Sequence, residues 1–172
     1  FPQLINLNIF KNINDYSKKI TEQRNFIFLI SLMIIDDSDN SEYFIYKYNI
    51  SNEDKKRIRF LSNIYSKPFD KETFKEKNLW KILYYNGKDY LNDLINFKIF
   101  QSKKIDNNLI KLKEFFSNKE APKFEFKAKT LIDKFNYKEG KDLGNKLKEI
   151  EKFWIENSFK ISDQELNKIV KN

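Results

Sequence analysis

Apolar residues in this chain recur at steps of three and four almost everywhere, and alternation at steps of two is nearly absent. The first period is what an α-helix with one buried face imposes, and a half-buried strand requires the second. The clearest stripe is Leu143, Leu147, Ile150 and Trp154, spaced 4, 3 and 4, with Lys141, Lys146, Lys148 and Lys152 lying off it. It predicts a helix packed along one side and positively charged on the other. At least six segments carry this period and the links between them are short, so the expected fold is all-α, a non-repeating multi-helix bundle.

Punctuation is sparse. Gly87, Gly140 and Gly144 are the only glycines in 172 residues. Inside a helix glycine costs roughly 1 kcal/mol against alanine, so each is expected to mark a backbone requirement or a close approach. A short helix is expected near the start, ending about Asn14-Asp15, followed by one continuous helix from about Lys18 to Ile35. That second helix is apolar nearly all round through Phe26, Leu29, Ile30 and Met33, as a central core helix would be. Asp36-Asp37-Ser38-Asp39-Asn40 should end it in a turn. Its alternate carboxylates have a calcium-loop flavour, but the glycine and terminal glutamate of such a loop are missing.

Ser51 then reads as an N-cap, with Glu53 and Asp54 in the first turn and Ile58, Leu61, Ile64 and Tyr65 as the buried stripe. Pro68 closes that helix and Asp70 can cap the next, which should run through Phe74, Leu79, Trp80 and Leu83 to Gly87. A partner helix from about Lys88 to Phe100 completes an antiparallel hairpin around the glycine. Asp106 starts a helix through Phe116, and Pro122 forces an extended, buried connector over Lys123-Phe124-Glu125-Phe126. Ser162 and Glu165 have capping-box spacing and launch a last helix through Val170. The expected organisation is one helical domain, residues 1–172, with a possible subdivision into a body (1–120) and a tail (121–172).

The chemistry available is narrow. With no cysteine and no histidine, disulfides, thiolate metal sites, hydrolytic triads and zinc sites are excluded. No glycine-rich strand-turn-helix is present to cradle phosphates. Asp37 and Asp39 have D-x-D spacing but fall in a turn between helices, so no catalytic residue and no metal ligand is assigned. The longest apolar run, Phe26 to Ile35, is far shorter than the roughly 20 residues a bilayer span needs, and no secretory signal is visible. The expectation is a cytoplasmic protein with no membrane partner. Residue 1 is Phe, which fits a fragment or a processed product.

Lysine and arginine outnumber the acids 33 to 25, a formal charge of +8 with a pI near 9.3, which suits a polyanionic partner. Abundant Lys, Asn, Ile and Phe is also what an AT-rich genome imposes on any protein. The sharpest basic cluster is Lys55, Lys56, Arg57 and Arg59, which holds two of only three arginines. It is a candidate RNA contact, against the alternative of a solvated helix face.

The run from Glu139 to Leu166 resembles the C-terminal end of bacterial tRNA nucleotidyltransferases and poly(A) polymerases, the class II CCA-adding superfamily. Gly140, Gly144 and Leu147 match the second half of that family's glycine-rich segment, and Glu151, Trp154, Ile155 and Phe159 match its acidic-aromatic helix. Phe1-Pro2-Gln3-Leu4, the helix start at Ser51, Asn52, Glu53 and Arg57, and the run Leu79 to Gly87 fall on further family patterns. Ala128 and Thr130 stand where the family has glycine and aspartate, and Lys141 where it has proline. The family's G-S, D-x-D and E-D-x-x-R motifs are absent.

The resemblance therefore implies the helical body and tail of an enzyme that adds nucleotides to RNA 3′ ends. The catalytic head and neck would lie upstream, carrying Mg and CTP or ATP, and no cofactor is implied for these residues. The implied partner is RNA, a tRNA acceptor stem and elbow held through shape and backbone. CCA addition and poly(A) addition are not separated by these residues. The implied contacts are Lys127, Lys129, Lys138, Lys141 and Lys146, beside the cluster at Lys55, Lys56, Arg57 and Arg59. The competing reading is a basic helical scaffold or protein-interaction domain with no RNA role.

Overall fold

The computed structural model describes residues 7–171 except 12, 24, 37, 66–71 and 103. The expectations resting on Phe1-Pro2-Gln3-Leu4, Asp37, Pro68 and Asp70 lie outside the described residues. Within them the chain is all-α, ten α-helices after a 3-10 turn at Leu7–Phe10, with no strand. It divides into two compact units, Phe1–Ala121 and Pro122–Asn172.

The first unit holds α1 (Asp15–Glu22), α2 (Phe26–Ile34), α3 (Asn40–Lys47), α4 (Asn52–Tyr65), α5 (Glu76–Asn86), α6 (Lys88–Gln101) and α7 (Asn107–Ser117). Its centre is α6, against which α1, α4, α5 and α7 all pack. Leu91, Leu94 and Ile95 are fully buried there, Phe97 is nearly so, and Tyr90, Ile99 and Phe100 are buried beside them. A helix touched on every side needs apolar residues all round. The sequence reading gave that role to the Lys18–Ile35 stretch.

That stretch is not one helix. It breaks between α1 and α2, where the Asn25 side chain accepts the Phe28 N–H at 3.2 Å and caps a fresh start. A side-chain amide competes with the backbone for its own hydrogen bonds, and here it wins over the apolar run that follows. Asn14 does the same for α1, accepting from Ser17 N–H at 2.9 Å. A turn does follow α2, with Asp36 accepting from the Ser38 N–H at 3.0 Å and from the Asn40 amide at 2.8 Å. It then opens α3, a helix the sequence reading lacked.

Gly87 both ends α5 and starts α6, at φ 91° and ψ 179°. That backbone region is essentially closed to side chains. Asp106 caps α7 by accepting from the Asn108 N–H at 2.9 Å. Trp80 then closes one end of the unit, edge-on to Phe116 at 5.1 Å and to Phe115 at 6.3 Å.

The second unit has α8 (Ala128–Phe135), α9 (Lys141–Glu156) and α10 (Asp163–Lys171). Leu131, Leu143, Ile150, Leu166 and Val170 form its core. The connector before α8 is half-buried rather than buried. Phe124 and Phe126 alternate inward, and Phe124 lies 5.3 Å from the Trp154 ring. Where the family pattern places a glycine loop, Ala128 begins a helix instead, because Leu131 is driven into the core and Asn136 ends the helix at φ 57°. After α9, Ser158 and Phe159 take φ 55° and 61°. Phe159 is held there by its N–H bond to the Trp154 carbonyl at 2.7 Å and by its ring against the indole. The capping box closes reciprocally: Ser162 N–H donates to Glu165 at 2.8 Å, and Glu165 N–H to Ser162 Oγ at 3.3 Å.

Only two of the three glycines answer a backbone requirement. Gly140 sits at φ 148°, but Gly144 lies inside α9, exposed, with nothing within 4 Å of where a Cβ would project. The expected close approach at Gly144 is absent. Gly144→Ala should therefore stabilise by about 1 kcal/mol, while Gly87→Ala should cost about 1–3 kcal/mol. Urea midpoints of the two variants give the opposite signs directly. A destabilised Gly144→Ala would mean that an unseen neighbour occupies that face.

Candidate nucleic-acid interface

Nine cations carry the nucleic-acid expectation, and the structure sorts them into two kinds. At the start of α4, Ser51 Oγ accepts the Asp54 N–H at 3.1 Å and sets the helix as expected. The arginines it presents are used inside the protein. Arg57 Nε donates to Asp93 Oδ2 at 2.9 Å, and its Nη2 lies 2.7 Å from the same oxygen. Their side chains are only 13% and 3% exposed. One oxygen receives two guanidinium nitrogens, so Nη2 is buried without a well-directed hydrogen bond of its own. Burial pushes the Asp93 carboxyl up to about 6 against the opposing pull of Arg57.

Arg59 forms a forked pair with Glu42 of α3, at 2.9 and 2.8 Å, whose hydrogen bonds hold that carboxyl below its ordinary range. Lys56 lies 3.9 Å from Glu53. Glu53 also accepts the Tyr90 hydroxyl at 2.8 Å, tying α4 to α6 a second time. Lys55 is half-buried with no acidic partner within 4.0 Å among the described residues. The α4 arginines thus serve mainly to hold α3, α4 and α6 together.

In the second unit Lys146 is also engaged, donating to the Ile169 carbonyl of α10 at 2.9 Å and lying 2.8 Å from Glu149. Lys127, Lys129, Lys138 and Lys141 differ. All four are exposed, and among the described residues none has an acidic group within 4.0 Å. Lys138 and Lys141 line an open cleft of about 450 Å³ formed by residues 135–142, together with Glu139 and Asp142. The cleft exists because Asn136 and Gly140 both take backbone conformations with positive φ. α9 starts at its edge, and Gly140 supplies no side-chain acceptor for the first N–H groups. A long helix with an uncapped start carries partial positive charge there.

The sequence reading missed a polar group in the first unit. Asp93 and Asn96 are buried within α6, among residues taken as a simple inward stripe. Their three-residue spacing inside an otherwise apolar helix was the available signal. Among the described residues no group of acids is arranged to hold a metal ion, and no helix is long and apolar enough to cross a membrane. No family model, curated protein or solved structure matches this chain.

Proposed function

We propose that this chain positions RNA for an enzyme that extends RNA 3′ ends, as the resemblance to the CCA-adding superfamily implies. The observation that carries the reading is the set of four exposed, unneutralised lysines between Lys127 and Lys141, beside the uncapped start of α9. Phosphates are the anions such a surface suits, because lysine charge and helix N–H groups reach them without reading bases. The arginines of α4 fall outside this surface, since their guanidinium groups are already engaged. Nucleotidyl transfer is assigned to an upstream head with its own Mg and nucleotide. The residues here contribute binding and orientation.

A salt titration of tRNA binding, followed by fluorescence anisotropy, tests the reading. A tRNA lacking its terminal CCA is the probe and a random-sequence duplex RNA the control. Four phosphate contacts at about 0.9 counterion each predict a log-log slope of roughly −3 to −4, with the tRNA preferred. Absence of binding at low salt would assign the chain to the scaffold reading, with its charge a matter of composition.

A further inference from the structure

The buried polar residues of α6 line a cavity of about 260 Å³ between α1, α2, α6 and α7. Its inner end holds Ile20, Phe28, Asp93 and Asn96, all buried, and its mouth is exposed. Asn96 is only 6% exposed, and its Oδ1 has no hydrogen-bond partner. A buried acceptor left unpaired costs about 1–3 kcal/mol. A single water would satisfy it, but a water's share of volume is roughly 30 Å³, so most of the space would remain.

The two walls have opposite chemistry. Asp89, Asp93 and Asn96 follow one another along α6 and present carboxylate and amide oxygens, Asp93 with its Oδ2 already held by Arg57. Facing them from α7 is Lys113, half-buried, with no acidic group within 4.0 Å among the described residues and its Nζ 5.4 Å from the Tyr16 ring centroid. Burial lowers the affinity of that amine for its proton, as expected of a cation lacking a counter-ion. A lone anion in this cavity would meet the α6 carboxylates. A lone cation would meet Lys113 and, at the mouth, Lys88.

We propose that the cavity binds a small zwitterion of the amino-acid class, its ammonium on the α6 oxygens and its carboxylate at Lys113. The volume supports the small size, since it falls below the roughly 300 Å³ at which drug-sized ligand sites begin. An ammonium carries three donors, enough for Asn96 Oδ1 and the neighbouring carboxylates together. This site is independent of the lysine surface in the second unit and does not depend on RNA binding.

The test is calorimetric titration of the chain with free amino acids at up to about 10 mM, where a 1 mM site is mostly filled. At least one should saturate. Its N-acetyl derivative and its methyl ester, which each lose one charge, should bind about tenfold or more weakly, as should the Asn96→Leu and Lys113→Met variants. Circular dichroism checks folding, and Lys113→Met, at a partly exposed position, keeps the test valid where Asn96→Leu does not fold. No saturation by any amino acid overturns the proposal. So does equal binding of the blocked derivatives, or unchanged affinity in folded variants.

Discussion

Replacing Arg57 with leucine is expected to destabilise the first unit by about 3–5 kcal/mol, the cost of leaving a buried carboxylate without its partner. Asp93 is 3% exposed, and its Oδ2 accepts a hydrogen bond from Arg57 Nε at 2.9 Å. The double variant Arg57→Leu, Asp93→Leu removes both charges, and it should recover most of the loss or exceed the wild type. Urea midpoints of the wild type, the two single variants Arg57→Leu and Asp93→Leu, and the double variant form a cycle that isolates the pair.

Acidity gives a second handle on the same pair. Asp93 sits at about 6 in the folded protein against 3.8 unfolded, so between those values the native state holds a proton that the unfolded state releases. Stability from this group is therefore fully present below pH 3.8 and is lost as pH rises through 6. That displacement is worth about 3 kcal/mol at 1.36 kcal/mol per pH unit. Without Arg57 the carboxyl has lost its stabilising cation and moves further up. The deficit of Arg57→Leu should accordingly shrink as pH falls from 7 towards 4. A deficit that stayed constant over that range would show that the loss comes from packing of the arginine stem and not from charge.

What was legible in the sequence was what is decided locally. The capping box at Ser162 and Glu165, the Asp106 cap, the Ser51 cap and the stripe through Trp154 all lie within a few residues of the groups they satisfy, so spacing alone reveals them. The break before α2 depends on a single amide, Asn25, set against nine apolar-rich residues, and pattern counting favours the larger number. α3 was hidden because two of its three aromatics, both tyrosines, face outward. Tyr46 is 88% exposed and Tyr43 44%, while its buried positions are Asn40, Ser41 and Ile45. Burial there follows a hydroxyl contact, Ser41 to Ser62 at 3.1 Å, which hydrophobic periodicity does not report. Arg57 was visible as a cation, but its partner stands 36 residues away. A basic cluster on a helix reads identically whether its charges face solvent or a carboxylate on another helix.

The same ambiguity decides how the lysine surface must be tested. Lys138→Glu combined with Lys141→Glu is expected to weaken tRNA binding roughly 10- to 100-fold at low salt and to flatten the salt slope by about 2. Unfolding does not account for such a loss. Both positions are exposed, and a glutamate at residue 141, the first of α9, complements the helix dipole by about 0.3–1 kcal/mol. Lowering the net charge alone weakens binding to any polyanion, so the control is Lys148→Glu with Lys152→Glu. Those lysines are also exposed and lie on α9 away from the cleft. A much larger effect from the first pair locates the phosphates at the cleft. Equal effects would reduce the surface to diffuse attraction and remove the cleft from the RNA path, because the two double variants differ only in where four units of charge are changed.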